Sequence, residues 1–402
     1  MKRIYESILK QHLLHDRQMV FLAGPRQVGK TTISKTTSAL TEQFVYLNWD
    51  YQDDQHLILS GPNKLVEEYQ LDIPRKDKAI LILDGLHKYK NWRNYLKGFY
   101  DKHYETVRFI ITGSAKLDVF RPTGDSMMGR YFPYRVHPLS VRELVTVERE
   151  EVEISTPVKL QKDLFDVLIK FGGFPEPLAK QNAAFYRRWI KLRMEQLFNI
   201  DIRDLTRIHE IVQMKLLAAI LKNQVGELVT YSKLSQFSQV SIDTVKSWVD
   251  TLESFYYCFK VSPWHKNIVR SLIKQPKIYL WNWADVDDIG ARHENFVASH
   301  LLKAIHFWED RGLGQYGLSY LRDKEKREVD FVVTKNGKPW FLVEVKSSHK
   351  HSISEHLYYF QKQTQAEHAF QVAFDLPHKD INCFDYTKPV IVPAVTFLSQ
   401  LV

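Results

Sequence analysis

A glycine-framed segment near the start of the sequence has the residue types and spacing of a phosphate-binding loop. Residues 24–31 read GPRQVGKT and match G-x-x-x-x-G-K-[ST] at every fixed position. In this pattern backbone N–H groups surround phosphate oxygens, the lysine (Lys30) reaches the terminal phosphates, and the hydroxyl (Thr31) binds Mg²⁺. We therefore predict that the segment binds ATP with Mg²⁺. The residues expected to line this site are Gly24, Pro25, Arg26, Gln27, Val28, Gly29, Lys30, Thr31 and Thr32.

Apolar runs before and after this segment indicate buried parallel strands. QMVFLA precedes the glycine segment, and AILIL leads into Asp84. Ligands of open α/β sheets bind beyond the carboxyl ends of the strands, so Asp84 is expected to hold the Mg²⁺ ion. A third run, RFIIT, ends in Thr112 and is followed by Gly113 and Ser114. The hydroxyls of Thr112 and Ser114 fit either a γ-phosphate sensor or a simple turn.

A second set of charged residues lies near the C-terminus on two predicted strands joined by a KNG turn. Residues 327–333 contain Asp330, and residues 338–348 contain Glu344 and Lys346. The period of two puts Glu344 and Lys346 on one face of their strand. An acid opposite an acid-x-lysine can hold Mg²⁺ and activate water, as in restriction-endonuclease-like folds. A cross-strand ion pair is the alternative explanation.

Residues around this set extend the same hypothesis. A helix predicted at 291–308 carries Glu294, where nuclease folds of this type often supply another metal-binding acid. The preceding hairpin is basic and either contacts nucleic-acid phosphates or forms a solvated edge. Its basic residues are Arg322, Lys324, Lys326 and Arg327.

The middle of the chain is predicted to be helical. A charged helical region at 159–205 is interrupted by the loop GGFPEP, and helices at 213–223 and 231–238 follow. Ser241 is a candidate N-cap for a third helix, which precedes a strand-like run. This order is typical of a winged helix. The third helix carries Lys246 among acidic residues, which favours packing or docking of a partner over reading of DNA.

Length and composition limit the classes of protein. A chain of 402 residues predicts about two to four domains. The hydrophobic fraction of 44% and charged fraction of 26%, without a membrane-spanning apolar run or a signal peptide, predict a cytoplasmic protein. The net charge of +9 is equally compatible with a nucleic-acid partner and with a solvated basic surface. Cys258 and Cys383 are expected to be packing residues.

The motifs taken together resemble a known family. GPRQVGKTT, LILDGLHKYKNWRNYLKGFYD, FIITGSAKLDVF, GRYFPYRVHPLSVREL and GGFPEPLAK occur in the order found in AAA-type ATPases of bacteria and archaea that carry the domain of unknown function 4143 at the C-terminus. The resemblance implies an α/β multidomain fold. We therefore expect an AAA-type P-loop ATPase domain at 1–145, a helical lid or linker at 146–210, a winged-helix-like domain at 211–265, and a restriction-endonuclease-like domain with the PD-(D/E)xK motif at 266–402.

One position departs from the family pattern. In that family, the aspartate that ends the second apolar run, Asp84 in this chain, is normally followed by a glutamate that orients the attacking water. This chain has Gly85 at that position. The contribution of the glutamate to hydrolysis, ~10²–10⁴-fold, is therefore missing from the usual place. Three accounts stay open: a natural variant that uses ATP as a switch, a substitution that traps the ATP-bound state, or replacement by a nearby acid. The nearby acids are Asp50, Asp53 and Asp54, and His87 is a further candidate.

The resemblance also implies an arginine that acts on the nucleotide of a neighbouring subunit. Arg130 is at the corresponding position, with Arg121 and Arg135 as rivals, and an ordinary surface role is the alternative for each. An arginine of this kind stabilises charge on the transferred phosphoryl group. Its presence would make the protein a homo-oligomer.

Two functional hypotheses follow from these residues. In the first, ATP binding controls a C-terminal domain that engages, and in its strongest form cleaves, nucleic acid. In the second, the chain is a nucleotide-dependent switch or scaffold that docks proteins or DNA with little hydrolysis or cleavage. Gly85 favours the second hypothesis, whereas Asp330, Glu344 and Lys346 favour the first.

Overall fold

The computed structural model describes residues 1–113, 127–148, 152–203, 210–264, 275–350 and 352–402. The chain divides into two compact units, Met1–His137 and Pro138–Val402. Ser114 and Arg121, named above as candidates, lie outside the described residues. No helix within the described ranges is long and apolar enough to cross a lipid bilayer.

A five-stranded parallel sheet forms the centre of the first unit. Its strands are β1 (Met19–Ala23), β2 (Phe44–Asn48), β3 (Ala79–Asp84), β4 (Val107–Gly113) and β5 (Tyr131–Arg135). They are adjacent in the order β2-β3-β4-β1-β5, and every pair is parallel. Every residue of β1 and β4 is buried, as expected for central strands covered on both faces.

Helices of the first unit pack their apolar residues against this sheet. They are α1 (Ile4–His15), α2 (Lys30–Lys35), α3 (Gln52–Leu59), α4 (Pro62–Tyr69) and α5 (Trp92–His103). In α5, the buried residues Trp92 and Phe99 contact Phe21 of β1 and Phe109 of β4, with ring centroids 6.1 and 5.0 Å apart. Their spacing of seven residues places both rings on one face of the helix.

The strand order brings Thr112, Asp84 and the glycine segment to one edge of the sheet. Because β4 lies between β1 and β3, Thr112 is in register with Leu22 on one side and with Asp84 on the other. The glycine segment leaves β1 at the same edge. The carboxyl ends of β1, β3 and β4 therefore converge there, as expected for an open parallel sheet.

The second unit is helical in its first part and carries further helices between and after the strands of its sheet. Its helices are α6 (Lys162–Phe171), α7 (Pro175–Lys180), α8 (Ala183–Gln196), α9 (Ile211–Asn223), α10 (Tyr231–Ser238), α11 (Ile242–Ser254), α12 (Ile289–Asp310), α13 (Glu355–Thr364) and α14 (Ala394–Gln400). Ser241 caps α11 as expected, since its hydroxyl accepts a hydrogen bond of 3.1 Å from the backbone N–H of Thr244.

A seven-stranded mixed sheet forms the rest of the second unit. Its strands are β6 (Cys258–Pro263), β7 (Lys277–Leu280), β8 (Tyr316–Arg322), β9 (Glu328–Lys335), β10 (Lys338–Lys346), β11 (His368–Ala373) and β12 (Val390–Pro393). They are adjacent in the order β12-β11-β10-β9-β8-β6-β7. The hairpin β9–β10 is antiparallel, and β11 then pairs in parallel with β10. This pairing places the predicted acid and acid-x-lysine strands side by side.

Helices α9, α10 and α11 followed by β6 and β7 have the element order of a winged helix. The two strands pair antiparallel, and Leu228 forms an isolated bridge with Lys277. However, β6 also pairs with β8, so these strands continue the C-terminal sheet. The boundary expected at 265/266 falls between two strands of one sheet. The four-part division of the chain and the winged-helix assignment therefore stay predictions.

The GGFPEP segment makes a close backbone approach in the second unit. The backbone N–H of Leu139 donates a 2.7 Å hydrogen bond to the carbonyl oxygen of Gly173. A Cβ atom at Gly173 would lie 2.4 Å from the carbonyl oxygen of Leu139 and 2.7 Å from Cη2 of Trp283. Trp283 is buried and its indole N–H donates to the carbonyl of Leu168 at 3.0 Å. Glycine is needed here because neither neighbour has room to move.

We predict that Gly173→Ala lowers the free energy of unfolding of the second unit by about 1–3 kcal/mol, since the added methyl group overpacks this contact. The measurement is urea denaturation followed by circular dichroism. Gly98→Ala is the control, because Gly98 lies in α5 with nothing within 4 Å of the added Cβ atom. That variant should be unchanged or gain up to ~1 kcal/mol. Wild-type stability of Gly173→Ala would contradict the packing argument.

Candidate nucleotide and carboxylate sites

The glycine segment has the backbone conformation of a phosphate-binding loop. Gly24 has φ +157°, and a Cβ atom there would lie 2.3 Å from the carbonyl oxygen of Val136. Gly29 is left-handed, with φ +100°, immediately before α2 begins at Lys30. Both positions therefore require glycine, one for close approach and one for conformation. The helix N-terminus that follows favours negative charge.

Lys30 lies over the loop. Its buried side chain donates hydrogen bonds to the carbonyl oxygens of Gly24 at 2.8 Å and Pro25 at 2.7 Å. These two contacts place the ammonium within the loop. A charged ammonium at this point can bind phosphate oxygens.

Asp84 is the polar centre of the sheet edge. Its carboxylate accepts hydrogen bonds from the hydroxyls of Thr31 at 2.7 Å, Tyr46 at 2.9 Å, and Thr112. The structure thus brings the predicted pair Thr31 and Asp84 into direct contact. Thr112 points to the carboxylate from the neighbouring strand, which is more than a simple turn requires.

Tyr46 was missed by the sequence analysis. It lies on β2, and burial together with the charge of Asp84 raises the pKa of its hydroxyl. The ammonium of Lys35 lies 3.8 Å from the centroid of the Tyr46 ring. The one available signal was its position two residues before Asn48, the residue of β2 in register with Asp84.

Arg3 is a second residue that the sequence analysis missed, and its side chain holds the backbone of the glycine segment. Its side chain is 4% exposed and donates to the carbonyl oxygens of Val28 at 2.7 Å and His137 at 2.5 Å. One guanidinium therefore ties the glycine segment to the backbone that follows β5. No local pattern in the sequence pointed to this contact, because Arg3 and Val28 are 25 residues apart.

Gly85 occupies a left-handed turn directly after β3. Its φ is +75°, and its N–H donates to the carbonyl of Thr112 at 3.1 Å. The proposed replacement acids have other partners: Asp50 pairs with Lys88 at 2.5 Å, and Asp54 accepts from the backbone N–H of Asn48 at 2.8 Å. Asp53 lies in the first turn of α3.

His87 lies two residues after Gly85 in a short 3₁₀ helix, Leu86–Lys88. Both ring nitrogens are buried and make no hydrogen bond within the described part of the chain. Burial, with the positive charges of Lys88, Lys30 and Arg26, lowers the pKa of His87 to about 4. The imidazole is therefore neutral at pH 7 and can accept a hydrogen bond from water.

Arg130 forms an ion pair within its own unit. Its guanidinium donates to both carboxylate oxygens of Asp101 on α5, at 2.7 and 2.9 Å. A role on a neighbouring subunit would require Arg130 to leave this bidentate pair. The arginine finger therefore stays a prediction.

The residues at this edge fit a magnesium nucleotide. Hard oxygen ligands suit Mg²⁺, and the Thr31 hydroxyl and Asp84 carboxylate are such ligands in mutual contact. The two required glycines and the Lys30 ammonium fit the phosphates. The first unit therefore has the chemistry of a nucleotide site.

The predicted carboxylates of the second unit also converge. Oδ2 of Asp330 on β9 accepts a 2.8 Å hydrogen bond from the backbone N–H of Val345 on β10, between Glu344 and Lys346. Lys346 donates to Oε1 of Glu344 at 2.8 Å. Glu294 on α12 accepts a 2.6 Å hydrogen bond from the Tyr279 hydroxyl.

Lys277 at the start of β7 lies among these acids and was missed by the sequence analysis. Its Nζ is 2.6 Å from Glu328, 3.3 Å from Glu294 and 4.0 Å from Asp330. Its side chain is 4% exposed. We refer to Lys277, Glu294, Glu328 and Asp330 as the Lys277 cluster. A lysine in the run QPKIYLW gave no local sign of such partners, because they lie on α12 and β9.

Burial raises the pKa of three carboxyl groups at this site. The pKa is raised to about 7 for Glu294 and for Glu344, with the charge of Asp330 as the second cause in both cases. The pKa of Asp330 is raised as well, also by burial. Oε2 of Glu344 is buried and makes no hydrogen bond within the described residues.

A metal ion does not fit this arrangement as it stands. Within the described ranges, no group of three or more His, Cys, Asp or Glu side chains is placed to hold a metal. The ammonium of Lys277 already lies within 4.0 Å of Glu294 and Asp330, two of the three predicted metal ligands. The role of Glu294, Asp330 and Glu344 as metal ligands, and of Lys346 as their catalytic partner, stays a prediction.

The basic hairpin is in part committed to internal ion pairs. Arg322 pairs with Glu328, and Arg327 pairs with Asp323 at 2.6 Å and lies 3.8 Å from the Tyr359 ring centroid. These contacts favour the structural explanation for the two arginines. Lys324 and Lys326 are exposed.

Comparisons with known proteins agree with the site in the first unit. Residues 16–145 match the family model of an AAA domain, which is a class of nucleotide-binding ATPase domain. Residues 162–284 and 289–383 match two models described as domains of unknown function, DUF8612 and DUF4143. The chain therefore matches an AAA domain in its N-terminal part and DUF4143 in its C-terminal part, as its motifs indicated.

Two relatives with similar sequences are described as uncharacterised proteins. A protein of Mycobacterium tuberculosis is 23% identical over 361 residues, which cover 85% of this chain and 73% of that protein. A protein of Methanocaldococcus jannaschii is 22% identical over 326 residues, covering 77% and 70%. Among solved structures, PCH-2 of C. elegans is 14% identical over 61% of this chain and 67% of that chain, with a TM-score of 0.27. A likeness this weak supports no further argument.

We predict that Glu294→Gln changes how stability depends on pH. The pKa of Glu294 is about 7 in the folded chain against an ordinary value of 4.5, so the folded state retains a proton that the unfolded state releases between these values. Its stabilising contribution is complete below pH 4.5 and is lost as pH rises through 7. Glutamine does not titrate, so the free energy of unfolding of the variant relative to wild type should rise between about pH 5 and about pH 8.

The measurement is urea-dependent hydrogen exchange of peptides from the second unit at both pH values. Glu176→Gln, at an exposed position of α7, is the control. A variant whose difference from wild type is the same at both pH values would show that Glu294 titrates as it does in the unfolded chain.

Proposed function

We propose that this protein is a nucleotide-dependent switch that binds Mg-ATP in its first unit and hydrolyses it slowly. The proposal rests on the Asp84 carboxylate, which accepts a hydrogen bond from the Thr31 hydroxyl. This contact lies at the edge of the sheet where the glycine segment leaves β1. The AAA domain match over residues 16–145 supports the class of ligand. Gly85 supports slow turnover.

Each residue of the first site has a distinct role in this proposal. Backbone N–H groups of residues 26–31 would surround the phosphates, and Lys30, which donates to two loop carbonyls, would supply its ammonium to phosphate oxygens. Thr31 and Asp84 hold the metal, with Tyr46 and Thr112 orienting the carboxylate. Bound Mg²⁺ supplies positive charge to the β- and γ-phosphate oxygens.

The missing glutamate explains why turnover is expected to be slow. A water molecule near the γ-phosphate needs an acceptor that orients it for attack. Gly85 has no side chain, and Asp50 and Asp54 are engaged elsewhere. His87 is the neutral acceptor closest in sequence, and its low pKa makes it a weak base. The chain is thus suited to hold ATP for long periods.

We propose that the second unit carries the output of the switch by docking a partner. Helix α11, the third helix of the winged-helix-like region, presents Asp243 and Asp250, with Lys246 paired to the former and Lys260 to the latter. A surface of this charge is unsuited to the phosphate backbone of DNA. A protein partner is therefore favoured at this region.

A metal-dependent nuclease is the second candidate function. The observation that favours it is the placement of Asp330 against the backbone of β10 between Glu344 and Lys346. Lys277 argues against it, because its ammonium lies within the same carboxylates. Metal binding at this site separates the switch from the nuclease.

We predict that wild-type protein binds ATP with Mg²⁺ and that Lys30→Ala weakens this affinity by roughly 10- to 100-fold, since a charge-assisted contact to phosphate is lost. Isothermal titration calorimetry measures both constants. Lys64→Ala is the control, because Lys64 pairs with Glu67 on the surface of α4. A wild-type chain without measurable affinity for ATP or ADP would end the proposal.

We predict that Gly85→Glu raises the rate of ATP hydrolysis by ~10²–10⁴-fold by restoring the acceptor for water. The change has room, because a Cβ atom at Gly85 meets Trp49 at an ordinary 3.6 Å. The left-handed backbone makes any side chain cost about 1–2 kcal/mol. Gly85→Gln has the same strain and nearly the same shape without the carboxylate, and is the matched control.

Steady-state phosphate release under saturating ATP is the readout for both variants. Equal rates for the glutamate and glutamine variants, with ATP affinity retained, would show that the missing carboxylate is not the cause of slow turnover. A fast wild-type enzyme would point to His87 or another group as an effective replacement.

A further inference from the structure

The Lys277 cluster places a buried cation where the sequence predicts a metal ion. Lys277 begins β7 at the edge of the seven-stranded sheet, while Glu328 and Asp330 lie on β9 and Glu294 on α12. Acids from β9 and α12 therefore meet the ammonium group that β7 supplies. None of these residues belongs to the nucleotide site of the first unit.

The burial of Lys277 is stable only because of its partners. An ammonium group removed from water loses its hydration and needs opposite charges at hydrogen-bond distance. Glu328 at 2.6 Å and Glu294 at 3.3 Å meet this need, and Asp330 lies at 4.0 Å. Acidic partners on α12 and β9 therefore hold the buried ammonium in place.

We propose that the ammonium of Lys277 is the resident cation of this carboxylate site and excludes a divalent metal ion from it. A metal at the same acids would lie within a few ångströms of a fixed positive charge, with little solvent to screen the repulsion. Lys277 also occupies lone pairs that a metal would need. In its wild-type form the site is organised by a lysine.

The remaining oxygen atoms show why removal of Lys277 should open the site. Oδ2 of Asp330 is taken by Val345, and Oε1 of Glu344 is taken by Lys346. Among the residues that the structure describes, Oε2 of Glu344 has no hydrogen-bond partner, and it is buried in a side chain that is 9% exposed. Without Lys277, Oδ1 of Asp330 and Oε1 of Glu328 lose the cation that faces them, while Oε1 of Glu294 keeps its hydrogen bond from Tyr279. Such a set attracts a hard divalent cation.

Mn²⁺ binding to the full-length, nucleotide-free chain tests the proposal, with free Mn²⁺ measured by electron paramagnetic resonance. Wild type should show no Mn²⁺ site that depends on Asp330. Lys277→Met, which keeps the length of the side chain without its charge, should gain one site at least about tenfold tighter than any wild-type binding. The double variant Lys277→Met/Asp330→Asn should lose it.

Lys222→Met is the matched control for removal of a paired lysine. Lys222 also lies between two acids of the second unit, at 3.4 Å from Asp285 and 3.2 Å from Asp287, and its side chain is 26% exposed. Its removal should create no site, since one of its two acids, Asp287, has a side chain that is 80% exposed to solvent. A new site in Lys222→Met as tight as that in Lys277→Met would show that charge alone attracts the metal and would overturn the proposal.

The wild-type titration keeps the proposal testable even when Lys277→Met fails to fold. A Mn²⁺ ion bound by wild type and lost in Asp330→Asn would overturn it, and so would a folded Lys277→Met that gains no site. Plasmid nicking by wild type that needs Mn²⁺ and disappears in Lys346→Ala would overturn it as well and establish the nuclease candidate. These results are independent of ATP affinity, so they leave the proposed switch unaffected.

Discussion

The hydrogen bond between the Thr31 hydroxyl and the Asp84 carboxylate joins the two halves of the nucleotide site, and it depends on the strand order of the sheet. Thr31 follows β1, whereas Asp84 ends β3, and β4 lies between them. The carboxylate spans this gap with the help of Thr112 on β4 and Tyr46 on β2. Strands β2 and β4 and the loop after β1 thus each supply a hydroxyl that orients the carboxylate at the end of β3.

Two buried lysines illustrate how partners decide the role of one residue type. Lys30 donates to two backbone carbonyls of its own loop, which orient the ammonium within that loop. Lys277 lies against three carboxyl groups that the fold brings to it. The first arrangement suits binding of an anion such as a phosphate, whereas the second makes the lysine an ion-pair partner of its own chain. The same contrast separates a site built for nucleotide from a site closed by its own chain.

Predictions from the sequence were most successful where chemistry and local pattern coincide. The glycine segment, the strands before and after it, and the Ser241 cap were recognisable because each is specified by residues within a few positions of one another. The AAA domain and DUF4143 were likewise indicated by ordered motifs, and family models confirm both. The hairpin that pairs Asp330 with the Glu344 strand followed from its short turn.

The sequence by itself determined the residue types of both sites and the strands that carry them, since a phosphate loop and a β-hairpin are local structures. Only the tertiary structure decided which side chains meet Asp84 and the distal acids. Arg3, Tyr46 and Lys277 reach their partners across 17 to 134 residues of chain, and the sequence around Arg3 and Lys277 contains no sign of these contacts. The physical reason is that a buried charge is compensated by whatever group the fold brings within hydrogen-bond distance, and that distance is set by sheet order and helix packing.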